Sequence, residues 1–233
     1  MRGIMFIEAL YRQTLIGNKT MTRRDGGLDV VNEHPDNFQV KIIKDNNWST
    51  VFDDWMAGKS LAPETKLEFT SINGTGNPII LKPKYKLGEV LFLKEPYWID
   101  PIDQEVYYKF KANFNTDSIE WKNKMFMAAK YGRTFVKVTG IKCERLLDIS
   151  SDNCIAEGIE SVSGDGWFGW KDYQSQGNFC KKAKDSFLSV YRFANKIKRI
   201  PGEDPKNIWV WAYTYELLPY KSLSEYKMRP NGN

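Results

Sequence analysis

The sequence predicts an α+β protein built on a small, mixed and mostly antiparallel β-barrel with peripheral helices. Three observations carry that prediction. Strand-like segments are numerous; the helical segments, one excepted, are short; and the two kinds do not alternate in the rhythm of a parallel βαβ sheet. At 233 residues the chain suits one elaborated domain, 1–233, with long insertions at about 25–83 and 160–206.

Each element has a local reason. Residues 3–7 are apolar and β-competent. Glu8–Ile16 repeats Leu10, Thr14 and Leu15 at helical spacing, and Gly17 stands where a left-handed residue ends a helix. Lys19–Arg24 then runs extended. From Asp25 to residue 83 the chain is polar and rich in Asn, Asp, Gly and Pro, with scattered Trp48, Phe52 and Trp55. That stretch has too little apolar periodicity for a core of its own and reads as an ordered insertion. Residues 88–94 form a buried strand entered through Lys86-Leu87-Gly88-Glu89, and 105–110 and 133–145 follow as strands. Ser150 or Ser151 caps a short helix over Asp152–Glu157, which Gly158 ends. Gly164–Gly177, rich in Gly, Trp and Tyr, reads as a loop. Lys182–Lys198 is the longest helix, with Ala183, Phe187, Val190, Tyr191, Ala194 and Ile197 along one face. Residues 207–217 are the closing strand, where Trp209, Trp211, Tyr213 and Tyr215 alternate as core or wall residues. A loose tail follows Pro219.

Composition bounds the chemistry. Hydrophobic residues at 42% and aromatics at 14% provide for a packed core and exclude wholesale disorder. No apolar run approaches the roughly 18 residues of a membrane helix. Glu8 interrupts the N-terminal apolar stretch before a signal peptide forms, so the expectation is a cytoplasmic protein with no membrane partner. The single histidine, His34, argues against Ser-His-Asp triads and two-His zinc sites. Cys143, Cys154 and Cys180 are scattered, with no CxxC, which argues against a disulfide framework or structural zinc. No metal and no cofactor is expected, and catalysis falls to Lys, Thr, Ser, Tyr, Asp or Glu. The net charge of +5 permits phosphate contact without demanding it.

The richest segment is Gly17-Asn18-Lys19-Thr20-Met21-Thr22-Arg23-Arg24, an amine, two hydroxyls and two guanidinium groups directly after a helix end. Like charge and burial lower a lysine pKa toward the range of a general base, and a threonine hydroxyl within its reach becomes a nucleophile. A basic edge strand that merely resists aggregation has the same pattern, and spacing alone favours that plainer reading. Lys19 and Thr22 stand three apart, so on a regular strand they face opposite ways, whereas Thr22 and Arg24 share a face. A base–nucleophile pair therefore needs Lys19 in the turn after Gly17, or a bulge.

GNKTMTRR resembles the GxKxxTxR signature of the ASCH-domain superfamily, whose members have a PUA-like β-barrel. KLGEVLFLKE (Lys86–Glu95), ERLLDISSDNCIAEGI (Glu144–Ile159) and IWVWAYTYEL (Ile208–Leu217) are similar, in order, to further pieces of that family. Together they cover roughly a third to a half of the chain. The longer form, with RGIMFIEALY and MFMAAKYGRTFVKVT, resembles an ASCH-like set common in phages and prophages, which implies the host cytoplasm. Small bacterial members are N4-acetylcytidine amidohydrolases with a proposed Lys, Thr and Glu triad. The resemblance implies Lys19 as base, Thr22 as nucleophile and Glu157 as the carboxylate that aids proton transfer or holds the lysine. It places the signature's final arginine on Arg24, and Arg23 beside it joins it as an expected substrate-binding residue. Glu95, after the barrel strand and next to Lys94, is the second-choice site carboxylate, expected to pair with the arginines.

The function so implied is hydrolysis of a modified nucleobase or nucleoside, without cofactor or metal. Two alternatives use the same residues: a non-catalytic RNA- or nucleotide-binding module, and a metal-independent ribonuclease. Trp167, Phe168, Trp170 and Tyr173 suit base stacking or internal packing. Lys181, Lys182, Lys184, Arg192, Lys196, Lys198 and Arg199 suit a phosphate track or a solvated helix face. The expected partner is a modified nucleoside, a nucleotide or single-stranded RNA.

Overall fold

The computed structural model describes residues 1–43, 66–111, 119–175, 177–200 and 202–228. The first strands are β1 (Arg2–Met5), β2 (Met21–Arg24), β3 (Phe38–Ile43), β4 (Lys66–Ser71), β5 (Ile79–Leu81), β6 (Val90–Lys94), β7 (Tyr97–Ile99) and β8 (Val106–Tyr108). Then come β9 (Phe135–Arg145), β10 (Ser161–Gly164), β11 (Trp167–Lys171), β12 (Phe179–Cys180) and β13 (Trp209–Leu218). The helices are α1 (Glu8–Leu15), α2 (Asp29–Asn32), α3 (Ser151–Ala156), α4 (Ala183–Ala194) and α5 (Leu223–Met228). The fold is mixed α+β with mostly antiparallel pairing, and among the described residues the ladders close no barrel. Where the sequence suggests one domain, the chain separates into two compact units, each of several segments.

The first unit comprises Met1–Asn18, Val90–Lys137 and Glu216–Asn233. Here β1 runs parallel to β6, with Gly3 opposite Phe92, and β6 runs antiparallel to the start of β9. Helix α1 buries Leu10, Tyr11 and Thr14, and Gly17 at φ +82° ends the turn after it. Ile4, Phe6, Leu91, Leu93, Met127 and Phe135 are buried with them. The tail after Pro219 is not loose throughout: α5 stacks the Tyr226 ring on Phe135 at 6.3 Å.

The second unit comprises Lys19–Glu89 and Val138–Tyr215. Strand β2 lies antiparallel on β13, with Thr22 opposite Tyr213 and Arg24 opposite Trp211. Residues 209–213 of β13 are buried on both faces, so the alternating aromatics are core. The described parts of 25–83 supply α2 and the antiparallel sheet β3–β4–β5. This sheet gathers Val40, Leu67 and Phe69, and the Phe69 ring meets Trp209 edge-on at 5.4 Å. The insertion thus shares the unit's core; Trp48, Phe52 and Trp55 lie outside the described residues.

Two sequence expectations shift here. The Gly164–Gly177 loop is a hairpin, β10 against β11, turned at Asp165-Gly166 with Gly166 at φ +76°. The Asp-Gly pair between β-prone segments is the missed signal. Helix α4 stops at Ala194, because Asn195 leaves helical geometry and Lys196 takes φ +55°. Phe187, Leu188 and Val190 are buried, whereas Ala194 is exposed.

Phe69→Ala is expected to cost about 3–5 kcal/mol in urea unfolding, whereas Ile80→Ala, on an exposed position of β5, should stay within about 0.5 kcal/mol. A separate early transition in Phe69→Ala, with the main one unmoved, would contradict the shared core.

Candidate functional site

The site begins with a helix that is too short to satisfy itself. Ser150 caps α3, its Oγ accepting from Asn153 N at 3.2 Å, and Gly158 at φ +84° follows the six-residue helix and its C-cap Glu157. The last carbonyls need donors, and the start of the β2 segment provides them. Thr20 N donates to Ala156 O at 2.9 Å, and Lys19 Nζ donates to Glu157 O at 2.8 Å. A cation at a helix C-terminus also suits the helix dipole.

Lys19 is 1% exposed. Its ammonium directs its other protons to Met21 O at 2.6 Å and Glu157 Oε2 at 2.8 Å. Arg23, also buried, donates from Nη1 to Glu157 Oε1 at 3.1 Å and from Nε to Glu144 Oε1 at 2.7 Å, with a second bond from Nη2 to the same oxygen. The Arg23 guanidinium also lies over the Phe187 ring of α4 at 5.7 Å. Two cations and two carboxylates thus share one low-dielectric cluster of zero net charge, joining β2, α3 and β9.

Burial lowers the Lys19 pKa from 10.5 to about 8, against the opposing pull of the Glu157 carboxylate; Arg24 and Arg23 lower it further. The amine is therefore charged below about 8 and gives up its proton in a range useful to a base. Cys154, buried in α3, has its thiol pushed up to about 12 by burial, as a packing residue would.

Of the residues expected at the site, the structure joins Lys19, Arg23 and Glu157. It adds Glu144, which sequence reasoning did not single out. Thr22 is buried at 3% exposure, but alternation along β2 sends it to the face opposite Met21 and Arg23. The three Lys19 bonds described go elsewhere. Arg24 shares the Thr22 face, as does its cross-strand partner Trp211, whose buried Nε1 finds no acceptor among the described residues. Glu95 lies in the first unit. Arg133 holds it through two bonds of 2.7 Å, and Tyr11 Oη donates to it at 2.7 Å. Its partner lies 38 residues along the chain, and nothing local marks the pairing.

Comparison of the chain with models of protein families, with curated proteins and with solved structures finds no match. Among the described residues no three His, Cys, Asp or Glu side chains gather as a metal site, and no helix is long and apolar enough to cross a membrane.

Lys19→Met, which keeps the length but removes the charge, should lower stability by about 3–5 kcal/mol at pH 7 by leaving a buried carboxylate underpaired. The pH dependence has a defined sign. Between about 8 and 10.5 the unfolded chain binds more of the lysine proton than the folded chain, so this group's penalty is relieved as pH rises. The stability of wild type relative to Lys19→Met should therefore increase across that window in denaturant titrations; a decrease would contradict the burial of a charged amine.

Proposed function

We propose that this chain is a hydrolase of modified nucleobases or nucleosides, of the ASCH, PUA-like kind, acting on N4-acylcytidine-type amides. The observation that carries the reading is the buried Lys19 amine, which is bonded to Glu157 and whose own pKa burial lowers to about 8. In this scheme Thr22 Oγ attacks the acyl carbon, its proton passes to neutral Lys19 and on to the departing N4 amine, and water then releases the carboxylic acid from Thr22. Arg24 and the Trp211 N–H, which has no acceptor among the described residues, are the donors for the oxyanion on the Thr22 face. The scheme requires Lys19 Nζ to exchange its bond to Met21 O for one to Thr22 Oγ.

One observation favours a second reading, a non-catalytic nucleotide- or RNA-binding module. The ammonium is fully coordinated and Thr22 alternates away from it, so the cluster serves equally as a clamp that fixes α3 and β9 to β2.

Hydrolysis of N4-acetylcytidine, followed by release of cytidine, separates the two. The hydrolase reading expects a rate that rises with pH to a plateau above about 8. Thr22→Ala should lose activity by at least about 100-fold while unfolding like wild type. Glu157→Gln removes the carboxylate that raises the lysine pKa, so its pH–rate inflection should move below that of wild type. No turnover by the unaltered protein on any N4-acylcytidine would refute the hydrolase and leave the clamp.

A further inference from the structure

The aromatic residues of the β10–β11–β12 sheet are not consumed by packing. Trp167 and Phe179 stack at 4.5 Å between ring centroids, 19° apart, and remain 44% and 42% exposed. Two glycines make room for them. A Cβ on Gly164 would lie 2.4 Å from Trp167 Nε1, and one on Gly169 would lie 2.4 Å from the Phe179 ring. The rings therefore rest directly on backbone, a costly use of strand positions unless the ring pair itself matters.

Charge lies beside the rings. Lys171 is the cross-strand partner of Phe179 and is held by Glu160 at 2.8 Å. Lys181 and Lys182 directly follow β12, are exposed, and have no carboxylate partner among the described residues. Three cations of the basic helix suggested by the sequence are, by contrast, spent internally. Lys184 donates to Leu147 O, Arg192 to Glu203 O and Arg199 to Asp172.

We infer that the Trp167–Phe179 ledge, with Lys181 and Lys182, binds single-stranded nucleic acid. A base adds to the existing ring stack, and the neighbouring phosphates take the two exposed ammonium groups. Flat π-faces accept any base, so recognition here is of single-strandedness rather than sequence. A protein partner would place apolar anchors in a closed pocket; an exposed ring pair beside two cations matches base and phosphate better. The inference does not depend on Lys19, so failure of the deacylase assay leaves it intact.

The test is fluorescence anisotropy of a labelled oligouridylate and a labelled oligothymidylate on the whole protein. Wild type should bind at least one of them, with Kd weakening about five- to tenfold from about 50 to 200 mM salt. Trp167→Ala with Phe179→Ala should weaken binding by about tenfold or more. Lys181→Glu with Lys182→Glu should weaken it and flatten the salt dependence. Gly169→Ala, which displaces the Phe179 ring without deleting it, should weaken binding while circular dichroism stays that of wild type. Wild-type affinity in the ring-deleted variant overturns the proposal. So does absence of binding at low salt, including the case in which sedimentation shows the ledge joining copies of the chain instead.

Discussion

The Lys19 ammonium has been taken out of water, and the folded chain has to replace its hydration. An ammonium carries three donors, and Met21 O, Glu157 O and Glu157 Oε2 accept them. Much of the second unit follows from that requirement. The helix α3 must end where its C-cap residue can offer both a carbonyl and a carboxylate, and Gly158 makes the stop abrupt enough to do so. Arg23 must arrive from the same face of β2 to share the carboxylate, and Glu144 must balance Arg23 from β9. Each ion is tolerable in the interior only because the others are present.

Such a cluster stabilises less than its number of bonds suggests, since the desolvation of four charged groups opposes them. Its value lies in position. It holds an edge strand, a short helix and a long strand in one register, and it keeps an amine on the borderline of protonation. Clamp and catalytic base draw on the same geometry; they differ in whether the amine can exchange a backbone carbonyl for a hydroxyl. The first unit contains a comparable buried group built differently. Glu95 there is bound by Arg133 and Tyr11, and the Arg133 guanidinium lies over Tyr108 at 4.2 Å.

Local chemistry made several elements legible. The α1 helix, its Gly17 stop, strand β2, the Ser150 cap and the Gly158 stop all have short-range signatures, and the structure places them within a few residues of the expected bounds. Lys19 and Glu157, 138 residues apart, form a buried ion pair. Alternation along β2, which is also local, separates Thr22 from Arg23. Other features escaped because they depend on partners far along the chain. Glu144 is one charged residue in a strand whose inward positions are apolar, and only its pairing with Arg23, 121 residues away, gives it a role. Arg133 is the same case for Glu95. Strand β4 does alternate, burying Leu67 and Phe69, but over too few residues to stand out in the polar stretch around it. The end of α4 was hidden because Lys196 and Lys198 are good helix formers; the left-handed turn at Lys196 and the Arg199–Asp172 pair override that preference.

Lys19 is buried with its three ammonium protons bonded, and burial lowers its pKa to about 8. Side-chain NMR of lysine labelled at Cε or Nζ, followed against pH and assigned with Lys19→Arg, observes that group directly. The account predicts one lysine signal, absent from Lys19→Arg, that titrates near 8 and exchanges its ammonium protons slowly below that pH. A Lys19 signal that titrates near 10.5, with protons exchanging as fast as those of surface lysines, would contradict it.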